Sequence, residues 1–263
     1  MTTLTNDGLL ALVHQLGVQT LPLVLSVGPR QVSYREWTAA QERALDELTA
    51  DQVLDRYGDV DPELRSALWA LALPERELVA RIFTEAGQVR VCLVRRGGGH
   101  VLAVRRGDTF DIRPIWADGS GDSLTRPVLN VLGSCPPAEV TSFSAVAIEL
   151  GERLDSATTS AEYADAVHSV GVAERDATAY GLAFASCRAY AEVVAYAHAN
   201  GVTDRSPGAV VVYDTARGRI VAAPGVAVDQ QIWSTLTPGT DHRITQAISG
   251  LIELLPGGRW LSK

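Results

Sequence analysis

The pattern of apolar and polar positions predicts a strand-rich unit in the last third of the chain. Four segments alternate apolar and polar residues in the manner of strands, at residues 188–197, 209–213, 218–222 and 226–236. Residues 241–255 follow with apolar side chains at helical spacing, and a Pro-Gly-Gly run at 256–258 ends that helix. This part of the chain therefore predicts four strands and a closing amphipathic helix.

A fainter copy of the same order occurs earlier in the chain. Its predicted strands are residues 76–83, 89–94, 100–104 and 110–115, and its closing helix spans residues 123–133. An apolar helix that breaks at an arginine leads into each copy. We therefore predict an internal repeat, approximately residues 62–133 and 174–261. Four strands of one copy leave an edge that the other copy extends, which favours one pseudo-symmetric sheet.

The remaining segments predict further helices and one or two isolated strands. One helix begins at Asn6 or Asp7, an acidic helix spans residues 34–54, and another begins at Pro62. A strand is predicted at residues 21–27, and either a strand or a linker at residues 140–147. Short helices are predicted at residues 149–154, from Ser160 to 168 and from Glu174. No Gly/Ser-rich linker separates the halves, so residues 1–263 are expected to form a single domain of the α/β (α+β) class.

Composition and charge exclude several classes of function. The net charge is −8 and the pI is about 5.1, which argues against nucleic-acid binding, because neutralising phosphates needs a basic face. The three cysteines are widely spaced and lie in apolar segments, as expected for buried thiols in a reducing cytosol. No signal peptide is recognisable, and no run approaches the roughly 18 apolar residues of a membrane span. We expect a cytoplasmic protein with no membrane insertion.

The sequence contains no recognisable catalytic or metal-binding constellation. No two of the five histidines stand at the helical spacing of a metal site, and the common nucleotide-binding and nucleophile motifs are absent. The Gly97-Gly98-Gly99 run joins two alternating segments and predicts a hairpin turn instead of a phosphate-binding loop. Residues 118–122 lack the closing acidic residue of a calcium loop and predict a polar turn. We expect no metal site, and the remaining profile of apolar and aromatic residues near the ends of elements suits an interaction protein.

Several segments together resemble the EspG family, the cytosolic substrate chaperones of type VII (ESX) secretion systems. The resemblance lies in the arginine junctions at residues 73–80 and 186–194, the hairpin at 213–224, the strand and turn at 233–240, and the ending at 254–260. It implies a central, largely antiparallel sheet built from two pseudo-symmetric halves, with helices that include a C-terminal helical bundle. It also implies a non-enzymatic protein that needs no cofactor and binds the PPE tip of a PE-PPE heterodimer.

The resemblance and the apolar pattern name two candidate binding segments. In the family, the loop after the first strand of the N-terminal half helps to grip the substrate. Its counterpart here is short and consists of Thr84, Glu85, Ala86, Gly87 and Gln88. The C-terminal helix is apolar over more than one narrow stripe, so Ile244, Ala247, Ile248 and Leu251 either contact a partner or pack on the sheet. The junction arginines, Arg76 and Arg188, are expected to pair with a buried carboxylate or a helix C-terminus.

Two other functions fit the sequence. One is an enzyme or sensor for a small ligand, with dispersed site residues such as His100, Asp111 and Arg113 on a duplicated sheet. The other is a homodimeric scaffold in which the apolar C-terminal helix pairs with itself. The chaperone interpretation leaves the free protein as a monomer or a homodimer.

Overall fold

One antiparallel sheet of 11 strands organises the computed structural model, which describes residues 2–261. The strands are β1 Thr2–Thr5, β2 Arg76–Thr84, β3 Gly87–Arg96, β4 Gly99–Arg106, β5 Thr109–Ile115, β6 Phe143–Val146, β7 Cys187–Ala199, β8 Val202–Arg205, β9 Val210–Thr215, β10 Gly218–Val226 and β11 Ile232–Pro238. The α-helices within this range are α1 Asn6–Gln15, α2 Tyr34–Ala50, α3 Pro62–Ala72, α4 Gly121–Leu132, α5 Ala147–Ser156, α6 Ser160–Ser169, α7 Glu174–Phe184 and α8 Asp241–Glu253. This confirms the predicted mixed class and the antiparallel sheet.

The spatial strand order is β1-β5-β4-β3-β2-β7-β9-β10-β11-β6, and β8 pairs with the end of β7. Strands β2 and β7 are the central pair, with a register that runs from Arg76 opposite Ala197 to Thr84 opposite Ala189. A helix, a set of neighbouring strands and a second helix occur in this order at residues 62–132 and again at 174–253. The two stretches meet where β2 pairs with β7.

Alternation along the strands divides the core between the two faces of the sheet. On the first face, α4 and α8 pack on the middle of the sheet, with Ile82, Leu93 and Val193 beneath them. On the second face, α1, α2 and α3 cover the half that contains β3, β4 and β5. Helices α5, α6 and α7 cover the half that contains β9, β10 and β11. Strands β2 and β7 therefore lie between two helical layers on the second face.

The segment at residues 21–27 is not a strand. It contains a short 3-10 helix, Leu23–Leu25, that crosses β3 and β4 on the second face. The guanidinium groups of Arg90 and Arg105 donate to the carbonyls of Val24 at 2.9 Å and Leu25 at 2.6 Å. These bonds replace the strand partners that the carbonyls would otherwise need, because buried backbone polar groups must be paired.

The structure adds two strands that the pattern does not predict, β1 and β8, each of four residues. It also shifts several element ends. The side chains of Thr5 and Thr159 cap α1 and α6, which begin at Asn6 and Ser160, and the acidic helix α2 ends at Ala50 instead of residue 54. Strand β10 extends to Val226, so residues 227–231 form a turn before β11.

The Gly97–Gly99 run forms the predicted turn, whereas the polar turn predicted at residues 118–122 ends early, because α4 begins at Gly121. Residues 97–99 lie in the hairpin between β3 and β4. The carboxylate of Asp118 accepts from the amide of Ser120 at 2.9 Å and from its hydroxyl at 2.5 Å, and these bonds lower the pKa of Asp118 to about 2. Ser120 in turn caps α4. Within residues 2–261, no cluster of three or more His, Cys, Asp or Glu residues is arranged to hold a metal ion. Among the helices of residues 2–261, none combines the length with the hydrophobicity that a membrane span requires.

Candidate protein-binding surface

The exposed part of the central strand pair is a channel on the second face of the sheet. Arg81 and Phe83 of β2, Tyr190 and Glu192 of β7, and Tyr213 of β9 project into it, and we call it the seam groove. Alternation places these side chains on the same face because they occupy every second position of their strands. The α5–α7 layer forms one wall of the groove.

Aromatic rings form the floor of the seam groove. Phe83 lies opposite Tyr190 in the register, and their rings stack with centroids 4.6 Å apart and planes 17° apart. Tyr190 continues the row to Tyr213, at 6.4 Å between centroids. The ring of Phe184, from α7, meets Tyr213 edge-on at 5.2 Å. The groove therefore presents half-buried aromatic surface held in fixed orientations, which is the kind of surface that anchors protein partners.

An ion pair lies beside the aromatic row. The Arg81 guanidinium is 2.9 Å from the Glu192 carboxylate directly across the strands, and the two side chains are 53% and 34% exposed. At this exposure the pair adds little to the stability of the fold, because solvent screens it. Its charges remain available to polar groups of a partner that covers the groove.

A cavity of about 380 Å³ opens between the groove and the α5–α7 layer. Its lining includes Leu154, Ala157, Tyr163 and Phe184 from the helical side. A cavity of this size and lining accommodates an apolar side chain or two from a partner.

The titratable groups of the groove are in forms unsuited to nucleophilic chemistry. Burial raises the pKa of the Tyr213 phenol, with smaller contributions from the nearby Cys187 and Asp155. Burial also raises the pKa of the Tyr190 phenol, with a smaller contribution from Glu192. Burial also raises the pKa of the Cys187 thiol, which lines the same cavity, so the thiol stays protonated at neutral pH. The arrangement is suited to binding.

The hairpin at residues 84–88 stands at one end of the seam groove. Thr84 is the last residue of β2 and its hydroxyl donates to the carbonyl of Gly87 at 2.9 Å. Glu85, Ala86 and Gly87 are exposed, and Gly87 has a φ of +117°, which favours glycine. The structure thus brings this predicted segment next to the Phe83–Tyr190 stack.

The four predicted residues of the C-terminal helix are in the core and not on a surface. Ile244, Ala247, Ile248 and Leu251 are 0%, 8%, 0% and 0% exposed and belong to the first-face core with Leu124 and Val128 of α4. The sequence is compatible with either core packing or partner contact for this face of α8. The burial of all four side chains shows that the face packs in the core. The reason is that α4 and the sheet together cover the whole width of the apolar stripe.

Of the residues of the small-ligand alternative, Asp111 and Arg113 form an ion pair at 3.5 Å, whereas His100 lies apart from Asp111. His100 lies opposite Ile115, whereas Asp111 lies opposite Val104, four residues further along β4. Four residues along a strand span roughly 13 Å. His100 is buried and stacks on Trp260, with centroids 6.3 Å apart.

Of the junction arginines, Arg76 fulfils the prediction. Its guanidinium donates to the carbonyls of Arg259 at 3.0 Å and Pro256 at 2.9 Å, just beyond the end of α8. Arg188 is exposed. Arg219 is a buried arginine with several partners, and no motif in the sequence singles it out. Its position inside the apolar run of residues 218–222 is the signal that marks it.

Comparison with known proteins identifies relatives over nearly the whole chain. A model of the EspG family matches residues 5–250. The ESX-1 secretion-associated protein EspG1 of Mycobacterium tuberculosis is 32% identical over 275 residues, which cover 98% of this chain and 88% of that protein. The ESX-3 secretion-associated protein EspG3 of the same organism is 27% identical, with coverage of 98% and 92%.

A solved structure has the same fold. It is that of the M. tuberculosis type VII secretion system chaperone EspG5 in complex with a PE25-PPE41 dimer. The TM-score is 0.82 at 18% identity, and the alignment covers 98% of each chain. The family model matches residues 5–250, and this match establishes that the chain belongs to the EspG family.

Proposed function

We propose that the protein is a non-enzymatic chaperone that binds PE-PPE type secretion substrates in the cytosol, keeps them soluble and directs them to an ESX (type VII) secretion system. The observation that carries this proposal is the family match over residues 5–250. The fold shared with EspG5, which was solved with a PE25-PPE41 dimer, supports the same class of partner for this chain.

The partner surface in this proposal is the seam groove. An apolar tip of a secretion substrate aggregates in water, and covering it contributes roughly 25 cal/mol for each Å² of apolar surface removed. The Phe83–Tyr190 stack and the adjoining cavity offer apolar surface of matching character. The Arg81–Glu192 pair supplies both signs of charge at the same place, which favours one orientation of the partner.

The hairpin of Thr84, Glu85, Ala86, Gly87 and Gln88 belongs to the same proposed surface. It lies at the end of the groove, and its turn residues are exposed. It is too short to wrap a partner, so its contribution is contact at the rim. The buried face of α8 packs on the opposite, first face of the sheet, where Ile244, Ala247, Ile248 and Leu251 lie against β7, β9 and β10.

We also infer that residues 1–263 form a single domain whose sheet consists of two pseudo-symmetric halves, approximately residues 62–133 and 174–261. The repeated order of a helix, strands and a helix supports this, as does the antiparallel pairing of β2 with β7. The seam groove would then lie where the two copies meet.

The test is co-expression of the chain with each PE-PPE type pair encoded in its host genome, followed by affinity capture and light scattering after size exclusion. We expect one pair to form a stable complex with one copy of each chain. Tyr190→Ala should raise the Kd of that complex by at least roughly tenfold, because central aromatic residues dominate interface energies.

The matched control is Tyr34→Ala, which removes the same side chain where it is 79% exposed on α2, within the layer that covers the other half of the sheet. We expect no change in Kd. Failure of every pair to bind the folded wild-type chain would overturn the proposed function. A complex that tolerates Tyr190→Ala would retain the function and remove the seam groove as its site.

A further inference from the structure

A second cavity lies on the same face of the sheet, between the 3-10 segment and the end of α3. Its volume is about 330 Å³. Most of its wall is apolar and includes Leu71, Ala72 and Val79, and Glu77, Tyr196 and His198 line its polar end. We call it the Glu77 pocket. Glu77 precedes Arg81 of the seam groove by four residues on β2, roughly 13 Å along the strand.

The polar end of the Glu77 pocket is a carboxylate with incomplete hydrogen bonding. Glu77 is only 7% exposed. One oxygen is 3.1 Å from His198 Nε2, and the other has the Cys92 thiol as donor at 3.8 Å. A carboxylate has about four acceptor positions, and a thiol is a weak donor. A buried carboxylate with this pairing has the capacity and the energetic need for a further strong donor.

The neighbouring side chains fix the position of Glu77 and do not fill the opening of the pocket, so a ligand can enter there. His198 Nδ1 is 3.0 Å from the Thr203 hydroxyl, so the imidazole is fixed between two partners. The ring of Tyr196 stacks on that of His198, with centroids 6.3 Å apart and planes 26° apart. Tyr196 therefore presents an aromatic wall beside the carboxylate, a combination that suits an organic cation.

We propose that the Glu77 pocket binds an organic cation, an apolar body carrying an ammonium or guanidinium head. The head donates to the Glu77 carboxylate, and the body packs among Leu71, Ala72 and Val79. An anion would be repelled by Glu77, and a neutral molecule would lack the charge-assisted hydrogen bond, which is roughly twice as strong as a neutral one. The cation is either a free amine or the basic side chain of a bound protein. Only the second source rests on the proposed function.

The test is titration of the free protein with phenethylamine, with phenethyl alcohol and phenylacetate as neutral and anionic probes of the same shape. Binding is followed through the His198 ring signal in ¹H–¹³C spectra, assigned with a separate His198→Gln sample. The amine should bind at least roughly tenfold more tightly than the alcohol, and phenylacetate should not bind. Glu77→Gln should remove the preference for the amine, whereas Glu42→Gln, at an exposed carboxylate on α2, should not.

A second variant keeps the test decisive if Glu77→Gln does not fold. Ala72→Phe fills the pocket from α3 and leaves the carboxylate in place, so it should abolish amine binding. Equal affinity for the amine and the alcohol would overturn the proposal, as would amine binding that survives Ala72→Phe.

The same His198 signal identifies the source of the cation. If a captured substrate complex no longer responds to phenethylamine, a basic side chain of the partner occupies the pocket. If it still responds, the natural ligand is a free amine. Both results uphold the pocket, and the measurements on the free protein stand whether or not a substrate pair is found.

Discussion

Arg219 and Asp214 form a buried, two-pronged ion pair, with guanidinium nitrogens 2.5 and 2.8 Å from the two carboxylate oxygens. Arg219 is 1% exposed and also donates to the carbonyl of Gly133 at 2.9 Å. A Cβ on Gly239 would lie 2.4 Å from Arg219 Cγ, so the arginine stem passes directly beneath that glycine. The pair therefore joins the β9–β10 hairpin to the end of α4 and the approach to α8.

Replacing one partner of this pair should destabilise the fold strongly. Arg219→Met leaves Asp214 buried without its counter-charge, which costs about 3–5 kcal/mol. The double variant Arg219→Met/Asp214→Leu should be less destabilised than the single one, because no charge is left unpaired. Urea unfolding monitored by circular dichroism measures both changes. Arg30→Met, at the exposed pair with Asp108, is the control and should cost about 1 kcal/mol or less. Equal losses at the two sites would contradict this interpretation.

A glycine sets the spacing of α6 and α7. A Cβ on Gly181 would lie 2.3 Å from the carbonyl oxygen of Ser160 and 2.8 Å from the Cβ of Ala164. Gly181→Ala should therefore force the helices apart and lower the melting temperature. Gly151→Ala on α5 is the matched control, since its Cβ would meet no atom within 4 Å. That change should stabilise by about 0.5–1 kcal/mol through helix propensity. Stabilisation by both substitutions would show that the α6–α7 contact can relax.

His100 should make stability depend on pH. Burial and the nearby Arg95 lower the pKa of this imidazole below its usual value. The folded protein therefore binds fewer protons than the unfolded chain once the pH falls to the unfolded pKa, about 6.5. The stabilisation is complete above that pH and is lost as the pH decreases towards the folded pKa. Unfolding in urea at pH 7.5 and 5.5 should show a larger loss for wild type than for His100→Gln. Equal losses would mean that His100 is not responsible.

The core position of Ile248 gives a prediction for α8. Ile248 is 0% exposed, so Ile248→Asp should unfold the protein by placing a charge in the core instead of removing a binding contact. Ile248→Val should cost about 0.5–1.5 kcal/mol. Gln246→Asp, on the exposed side of the same helix, should change stability by about 0.5 kcal/mol or less. Thermal melts distinguish the three, and a folded Ile248→Asp variant would return this face to the partner surface.

The period-2 alternation in β2, β3 and β7 was sufficient to predict those strands, because each strand has a helix-covered face. The prediction of a strand at residues 21–27 is wrong for a physical reason. Their apolar run looks like a strand, but the carbonyls of Val24 and Leu25 are satisfied by Arg90 and Arg105, which are remote in the sequence. Pattern alone does not show such long-range side-chain bonds.

The candidate surface was only partly predictable. The family resemblance located the hairpin at residues 84–88, which lies beside the seam groove. The Phe83–Tyr190 stack depends on the register between β2 and β7, and alternation within each strand does not determine that register. The apolar face of α8 poses a different difficulty. Its width indicates how much apolar surface must be buried, but it does not indicate whether α4 or a partner protein buries that surface.

The central position of the β2–β7 pair has a consequence for synthesis on the ribosome. Arg76 pairs with Ala197, so more than a hundred residues must be translated after β2 before its partner strand emerges. At a rate of about 5–20 residues per second, β2 is an unpaired edge for several seconds. Open edges of this kind invite pairing with other chains. We therefore expect the nascent N-terminal half to be the stage at which this chain itself depends on the cell's general folding machinery.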